Sequence, residues 1–257
     1  MFRYLKPALL ILPYAIGCYF RWIFKYAKHP EKKPIEYRYQ KVTKLIKKLN
    51  RAMDVELIVV GNENIPDGVN YFVSNHLGAY DPVLIINEVN KPTSVVAKIE
   101  IHKYPFAGKL IKTIEGVFLD RKDIKQSLSQ MIKVRDDLAS KNKSWLIFPE
   151  GTRNKDEHRL LRPFHPGSLN PAMKTNTPIV PVVVYGSQRV TDSTSHLKKY
   201  PVYLEFCKPI VPSDYPDLNS QEFANMIRDI IQQKLTYNAR KIDHEQMVKI
   251  NSKKYKM

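Results

Sequence analysis

The sequence predicts an α/β fold, a mixed and largely parallel sheet covered by helices, with a two-helix segment ahead of it. Three observations predict it. Seven short runs rich in Val, Ile and Phe lie between residues 55 and 207. Runs with helical spacing separate several of them, and strands alternating with helices build parallel or mixed sheets. The first 54 residues follow another pattern, an aromatic and apolar stretch and then a lysine-rich one.

In that first stretch, MFRYLKPALLILPYAIGCYFRWIFKYAKH, 14 residues between Lys6 and Arg21 carry no charge. A bilayer span takes roughly 20 apolar residues. No small-residue cleavage site follows, and Arg21 and Lys25 come at once, which argues against a cleaved signal peptide. Tyrosines and a tryptophan flank the apolar core, which suits an interfacial or shallowly re-entrant helix. The bland alternative is a buried helix packed on the domain. A second helix is expected from Tyr37 to Met53, after Pro30 and Pro34. Val42, Leu45, Ile46, Leu49 and Met53 keep helical spacing, and lysines fill much of the other face. On its own that is a solvated surface helix. Beside the first segment it becomes a lysine face for anionic headgroups. The expected lipid contacts are Leu9, Leu10, Ile11, Tyr14, Trp22, Lys44 and Lys48.

From Val55 the expected strands are VELIVV (55–60), YFVS (71–74), TSVVAK (93–98), GVFLD (116–120), SWLIFP (144–149), IVPVVVYG (179–186) and VYLEFC (202–207). Helices are expected near 82–90, 123–141, 166–176 and 220–235. Residues 1–54 then form the N-terminal segment, 55–237 the α/β domain and 238–257 a basic tail. The end of that tail, KKYKM, lacks apolar periodicity and reads as loosely ordered.

Charge follows the same division. The net charge is +17. Residues 1–51 hold 13 Lys/Arg against 2 Asp/Glu, and residues 234–257 hold 7 against 2, so the middle of the chain carries only +1. Basic ends on a neutral domain suit a polyanionic surface, a nucleic acid or an anionic membrane. No RRM, helix-turn-helix or zinc pattern stands in the neutral part, so no nucleic-acid partner is expected. Cys18 and Cys207 form no CxxC and read as reduced thiols.

Four short stretches carry chemistry. SNHLGAYD (74–81) follows an expected strand and sets His76 and Asp81 on one turn. Such a pair is either structural or a general base with its orienting carboxylate. GVFLDRKD puts Arg121 just past a strand end, where the bland role is a helix-start arginine with Asp123 as cap. FPEGTRN (148–154) runs a strand into Pro149, Glu150, Gly151, Thr152 and Arg153. Gly151 permits a tight turn, and Arg153 can point at the same mouth. In IVPVVV, Pro181 removes a ladder donor and marks an edge, a bulge or a special approach.

Together, in this order and spacing, these stretches resemble the glycerolipid acyltransferase family, and most of all its members that acylate lysophosphatidic acid to phosphatidic acid. NHxxxxD (Asn75, His76, Asp81) matches the first motif of that family, the Arg121 region the second, FPEGTR the third and VPVVV the fourth. The resemblance covers roughly residues 55–210 and the short two-helix segment before them.

It implies an acyltransferase with His76 as general base for the acceptor hydroxyl and Asp81 as its orienting partner. Arg121 and Arg153 would bind the acceptor phosphate, with Gly151 and Thr152 beside them. Glu150 would position the acceptor hydroxyls or fix an arginine. Backbone N–H groups near Gly78 would help hold the oxyanion. The fourth motif, with Pro181 and Val182, would line the acyl or donor path. The co-substrate would be an acyl-CoA or acyl carrier protein thioester, with no bound cofactor and no metal. The expected partner is an anionic phospholipid membrane, at the cytoplasmic face.

One departure stands out. Where many relatives read F-K-x-G after the third motif, this chain reads RPFHPG, so that lysine contact is either absent or supplied by Arg159, Arg162 or His165, and the bland reading of His165 is a surface histidine. That leaves a different lysophospholipid or glycerol-3-phosphate open as acceptor. A non-catalytic membrane scaffold is disfavoured, because the motif residues are intact.

Overall fold

The computed structural model describes residues 5–155, 160–192, 197–214 and 218–255. The chain opens with α1 (Leu5–Cys18), widens through a π-helical turn (Tyr19–Ile23) and continues as α2 (Phe24–Lys28). After α3 (Ile35–Ala52) it enters the α/β region. The order there is β1 (Val55–Val60), β2 (Tyr71–Ser74), α4 (Asp81–Glu88), β3 (Thr93–Lys98), α5 (Pro105–Thr113), β4 (Val117–Leu119) and α6 (Ile124–Ala139). Then come β5 (Ser144–Ile147), α7 (Asn170–Thr175), β6 (Ile179–Tyr185), α8 (Gln188–Thr191), β7 (Tyr200–Phe206), α9 (Ser220–Lys234) and α10 (Arg240–Tyr255).

The strands form one seven-stranded sheet in the order β1-β7-β6-β2-β5-β3-β4. Every pairing is parallel except β6 with β7. The expected mixed, largely parallel sheet is therefore present. Its inner strands read as apolar runs because both faces are covered. In β2, Phe72 points into one core and Tyr71 and Val73 into the other. The first core is covered by the N-terminal helices and α4, the second by α6, α7 and α9.

Pro181 lies in an inner strand, not at an edge. Beside it the register slips by one residue, between the Val182↔Phe206 pair and the Ile179↔Ile210 bridge. A proline without an N–H fits such a bulge. Three helices were not expected. Gly108 weakens the helical reading of α5 in sequence, yet a Cβ there would sit 2.7 Å from the His102 carbonyl oxygen. The four-residue α8 is too short to show periodicity. The third, α10, runs to Tyr255 and so covers the first three residues of KKYKM, while residues 256–257 lie outside the described residues. Asp243 ties it down, buried and accepting from Arg189 Nη1 at 2.9 Å.

The N-terminal helices belong to the core. Arg38 of α3 is buried, donates to the Thr113 carbonyl at 2.6 Å and pairs with Glu115. Lys143, also buried, reaches Glu115 at 2.9 Å and Asp137 at 2.8 Å. Burial pushes the Glu115 carboxyl up, but the Lys143 and Arg38 hydrogen bonds outweigh it, and the net shift is down. Cys18, Trp22, Ile23 and Tyr26 are buried on one helical face. Trp22, expected at the lipid surface, is thus a correction. It is 9% exposed because it shares its face with Ile23 and Tyr26. Its neighbours Phe20 and Phe24 are exposed instead. Leu9, Leu10, Tyr14, Lys44 and Lys48 are exposed, and Ile11 is half-buried. Lys48 Nζ sits 3.8 Å above the Tyr14 ring, joining α1 to α3. Among the described residues no helix is long and apolar enough to cross a membrane.

Candidate active site

The site forms where parallel strands end, as in other open α/β sheets. His76 and Asp81 follow β2, Arg121 follows β4, and Glu150 to Arg153 follow β5.

The His76 turn is braced on every side. Nδ1 of His76 lies 2.7 Å from Oδ2 of Asp81, so a carboxylate accepts from the ring at Nδ1 and Nε2 is the nitrogen that Asp81 does not engage. Asp81 is fully buried at the start of α4. Its Oδ2 also accepts from the N–H groups of Leu77 (2.7 Å) and Gly78 (2.9 Å). Ser187 Oγ donates to Oδ1. The Gly78 N–H expected at the oxyanion is therefore engaged with Asp81, because the turn folds back onto its own carboxylate. Asn75 clips the turn to β6, accepting from Val184 N–H at 2.8 Å and donating to its carbonyl at 2.9 Å. The imidazole stacks on Phe148 with centroids 4.4 Å apart and stays 20% exposed.

Glu150 is buried, and it neither grips an arginine side chain nor faces the acceptor space. It accepts from the backbone N–H groups of His76 (2.8 Å) and Arg162 (3.1 Å). Burial pushes its carboxyl above the usual range, and those two hydrogen bonds only partly offset it. Its role is to brace the histidine turn against the loop after the third motif.

Gly151 has φ +69°, a left-handed conformation that suits glycine. A Cβ there would lie 3.1 Å from Arg121 Nη2 and 3.3 Å from His165 Cδ2. The guanidinium and the imidazole thus converge on one backbone point. Thr152 and Arg153 are exposed beside it. Arg162 contributes its backbone here, and Arg159 lies outside the described residues.

A cavity of about 1160 Å³ joins these groups. Its inner end is apolar, with Val42, Ile46, Ile86, Val95 and Ile114, and its chemical centre holds His76, Arg121, Thr152, Arg153 and His165. Pro181 and Val182 do not line it. Both lie buried within β6, because the sheet holds that strand between β7 and β2. The fourth motif contributes through its last residue instead, where Val184 holds Asn75, and Ser187, three residues further on, holds Asp81. Ser187 escaped the sequence reading; only its place just past an apolar strand hinted at it. Among the described residues no group of three His, Cys, Asp or Glu gathers as metal ligands.

Fold and site together define an α/β protein with a hydrogen-bonded histidine–carboxylate pair at the sheet's end, beside a largely apolar cavity that arginines help to line. The chain belongs to the acyltransferase family, whose description, Acyltransferase, matches residues 56–185. It is 30% identical over 221 residues to a protein described as a probable 1-acyl-sn-glycerol-3-phosphate acyltransferase from Mycoplasma pneumoniae, covering 80% of this chain and 82% of that one. A 1-acyl-sn-glycerol-3-phosphate acyltransferase from Borreliella burgdorferi is 33% identical over 134 residues, 52% of each chain. The crystal structure of the 1-acyl-sn-glycerophosphate (LPA) acyltransferase PlsC from Thermotoga maritima shares the fold. Its TM-score is 0.71 at 23% identity, over 91% of this chain and 96% of that one.

Proposed function

We propose that the protein moves a fatty acyl group from a thioester donor, acyl-CoA or acyl carrier protein, to the 2-hydroxyl of lysophosphatidic acid, making phosphatidic acid. The observation that carries this reading is the Asp81-held His76, with Nε2 directed to a cavity that has an apolar end and an Arg121 end. The names of the relatives support the acceptor.

In this reading Nε2 takes the proton of the 2-hydroxyl as its oxygen attacks the thioester carbonyl carbon. Asp81 stabilises the imidazolium that forms. The tetrahedral intermediate expels the thiolate, the C–S bond breaks, and the imidazolium returns the proton to sulfur. A thioester is already activated, so direct attack suffices. The inner apolar end receives an acyl chain. Arg121, with Thr152, Arg153 and His165 near it, receives the phosphate through paired donors. The protein sits on the cytoplasmic face of an anionic membrane, through the exposed Leu9, Leu10, Tyr14, Lys44 and Lys48 and the half-buried Ile11.

The test is acyl transfer by the purified protein in anionic micelles, offering lysophosphatidic acid and glycerol-3-phosphate separately, each with both donors. Transfer to lysophosphatidic acid is expected, and His76→Ala should lose it by about 10³-fold or more at unchanged melting temperature. Retained turnover in His76→Ala would remove the general-base role.

A further inference from the structure

The proposed reaction leaves one feature of the surface unexplained. Along α6, Ile124, Leu128 and Ile132 stand at i, i+4 and i+8 and are 81%, 61% and 40% exposed. Large apolar side chains in a row on an exposed helix face mark an interaction surface. These three also line the catalytic cavity, with Tyr104 of the α5 start, itself 61% exposed. The residues at the opposite end of the cavity, such as Val42, Ile46 and Ile114, are buried. The cavity is therefore closed under α3, and its exposed lining runs from the Thr152–Arg153 loop to α6, where it is apolar.

That apolar part of the lining has a cationic surround. Lys103, Arg121, Lys122, Lys125 and Lys133 are all exposed on the segments that carry it, against the exposed Glu100, Asp123 and Asp136, which leaves them net positive. Apolar side chains in a basic surround match an anionic bilayer, where the first enter the acyl boundary and the second meet headgroups. The exposed row on α1 and the π-helical turn, including Leu9, Leu10 and Phe20, is a separate patch. Between the two stands α5, which packs its Phe106 ring on Tyr19.

We infer that the Ile124–Leu128–Ile132 face of α6 is a second membrane contact of this protein and the portal through which a lipid reaches His76. The inference rests on the lipid acceptor proposed above. A lipid that enters there keeps its tail in an apolar environment from bilayer to cavity. Its phosphate passes directly to Arg121.

The full-length chain offers a clean reporter, because Trp22 and Trp145, its two tryptophans, are both buried. Leu128→Trp is compared with the unchanged protein on phosphatidylglycerol-rich vesicles whose acyl chains carry bromine. The expected result is quenching beyond the baseline of the unchanged protein, matched by quenching in Phe20→Trp. The Ile124→Glu/Leu128→Glu pair is expected to weaken vesicle partitioning by roughly tenfold or more. Quenching in Phe20→Trp but not in Leu128→Trp would overturn the proposal, since contact would then run through α1 alone. So would an emission change with acyl carrier protein and none with vesicles, which would make the face a protein docking site. Quenching without transfer to lysophosphatidic acid would support the portal and overturn the acceptor.

Discussion

The turn that carries His76 and the turn that carries Arg153 lie side by side and are built on opposite terms. Around His76, Asp81 alone accepts four hydrogen bonds, and Asn75 and Glu150 clamp the backbone from two further elements. Around Gly151, the side chains of Arg121 and Arg153 are exposed, and the Glu100 carboxylate is the charge that Arg121 faces among the described residues. A base must be oriented before the substrate arrives, because its geometry sets the barrier. A phosphate clamp can be completed by the phosphate itself. In the proposed reaction the difference fits chemistry at the first turn and recognition at the second.

Variants can break this contrast. The largest effect after loss of His76 is expected from Asp81→Asn, which removes the charge facing the imidazolium and turns an amide toward N–H donors. A fall of about 10²–10⁴ in kcat with a small change in KM is expected. An unchanged kcat would show that the braced turn is only structural. Next comes Arg121→Ala, on the recognition side. The KM for the acceptor should rise by about 10–100-fold with kcat little changed, and Arg121→Lys should recover part of it. A fall in kcat alone would move Arg121 to the chemical side.

Glu150→Gln tests the strut between the two turns. It keeps one acceptor oxygen for two N–H donors, so about 1–3 kcal/mol of stability should go. The folded carboxyl is raised, so the folded state holds its proton where the unfolded chain has released it. Stability from this group then falls as pH rises upward from about 4.3. Glu150→Gln should flatten that fall in melting temperature measured against pH. Ser187→Ala is expected to give the smallest change. It removes one of the four donors to Asp81, lowering kcat severalfold without altering acceptor KM. A KM effect would place Ser187 on the substrate instead.

Much of the scaffold was legible in order. All seven strands and the helices corresponding to α3, α4, α6, α7 and α9 stood in the sequence, with ends shifted by a few residues. Strong periodicity and turn residues carry that signal. The short α5 and α8 carried too little of it. Trp22 misled because aromatic residues beside an apolar core suit a membrane interface and a packed helix equally. The difference lies in which helix face meets the domain. Glu150 misled for a related reason: its neighbours in sequence are recognition residues, while its bonding partners are backbone groups of two loops.

By itself the sequence determined the α/β class, the parallel bias of the sheet and the identity of the His76–Asp81 pair, because periodicity and turn chemistry are local. Only the tertiary structure decided that Glu150 and Ser187 brace the His76 turn, that the fourth motif clamps that turn from inside the sheet, and that the exposed face of α6 lines the cavity. Each of these depends on contacts between groups from about 74 to 109 residues apart, or on which face of a helix is left uncovered. Neither quantity has a local signature, because a side chain's spacing along the chain says nothing of what lies across from it once the sheet has closed.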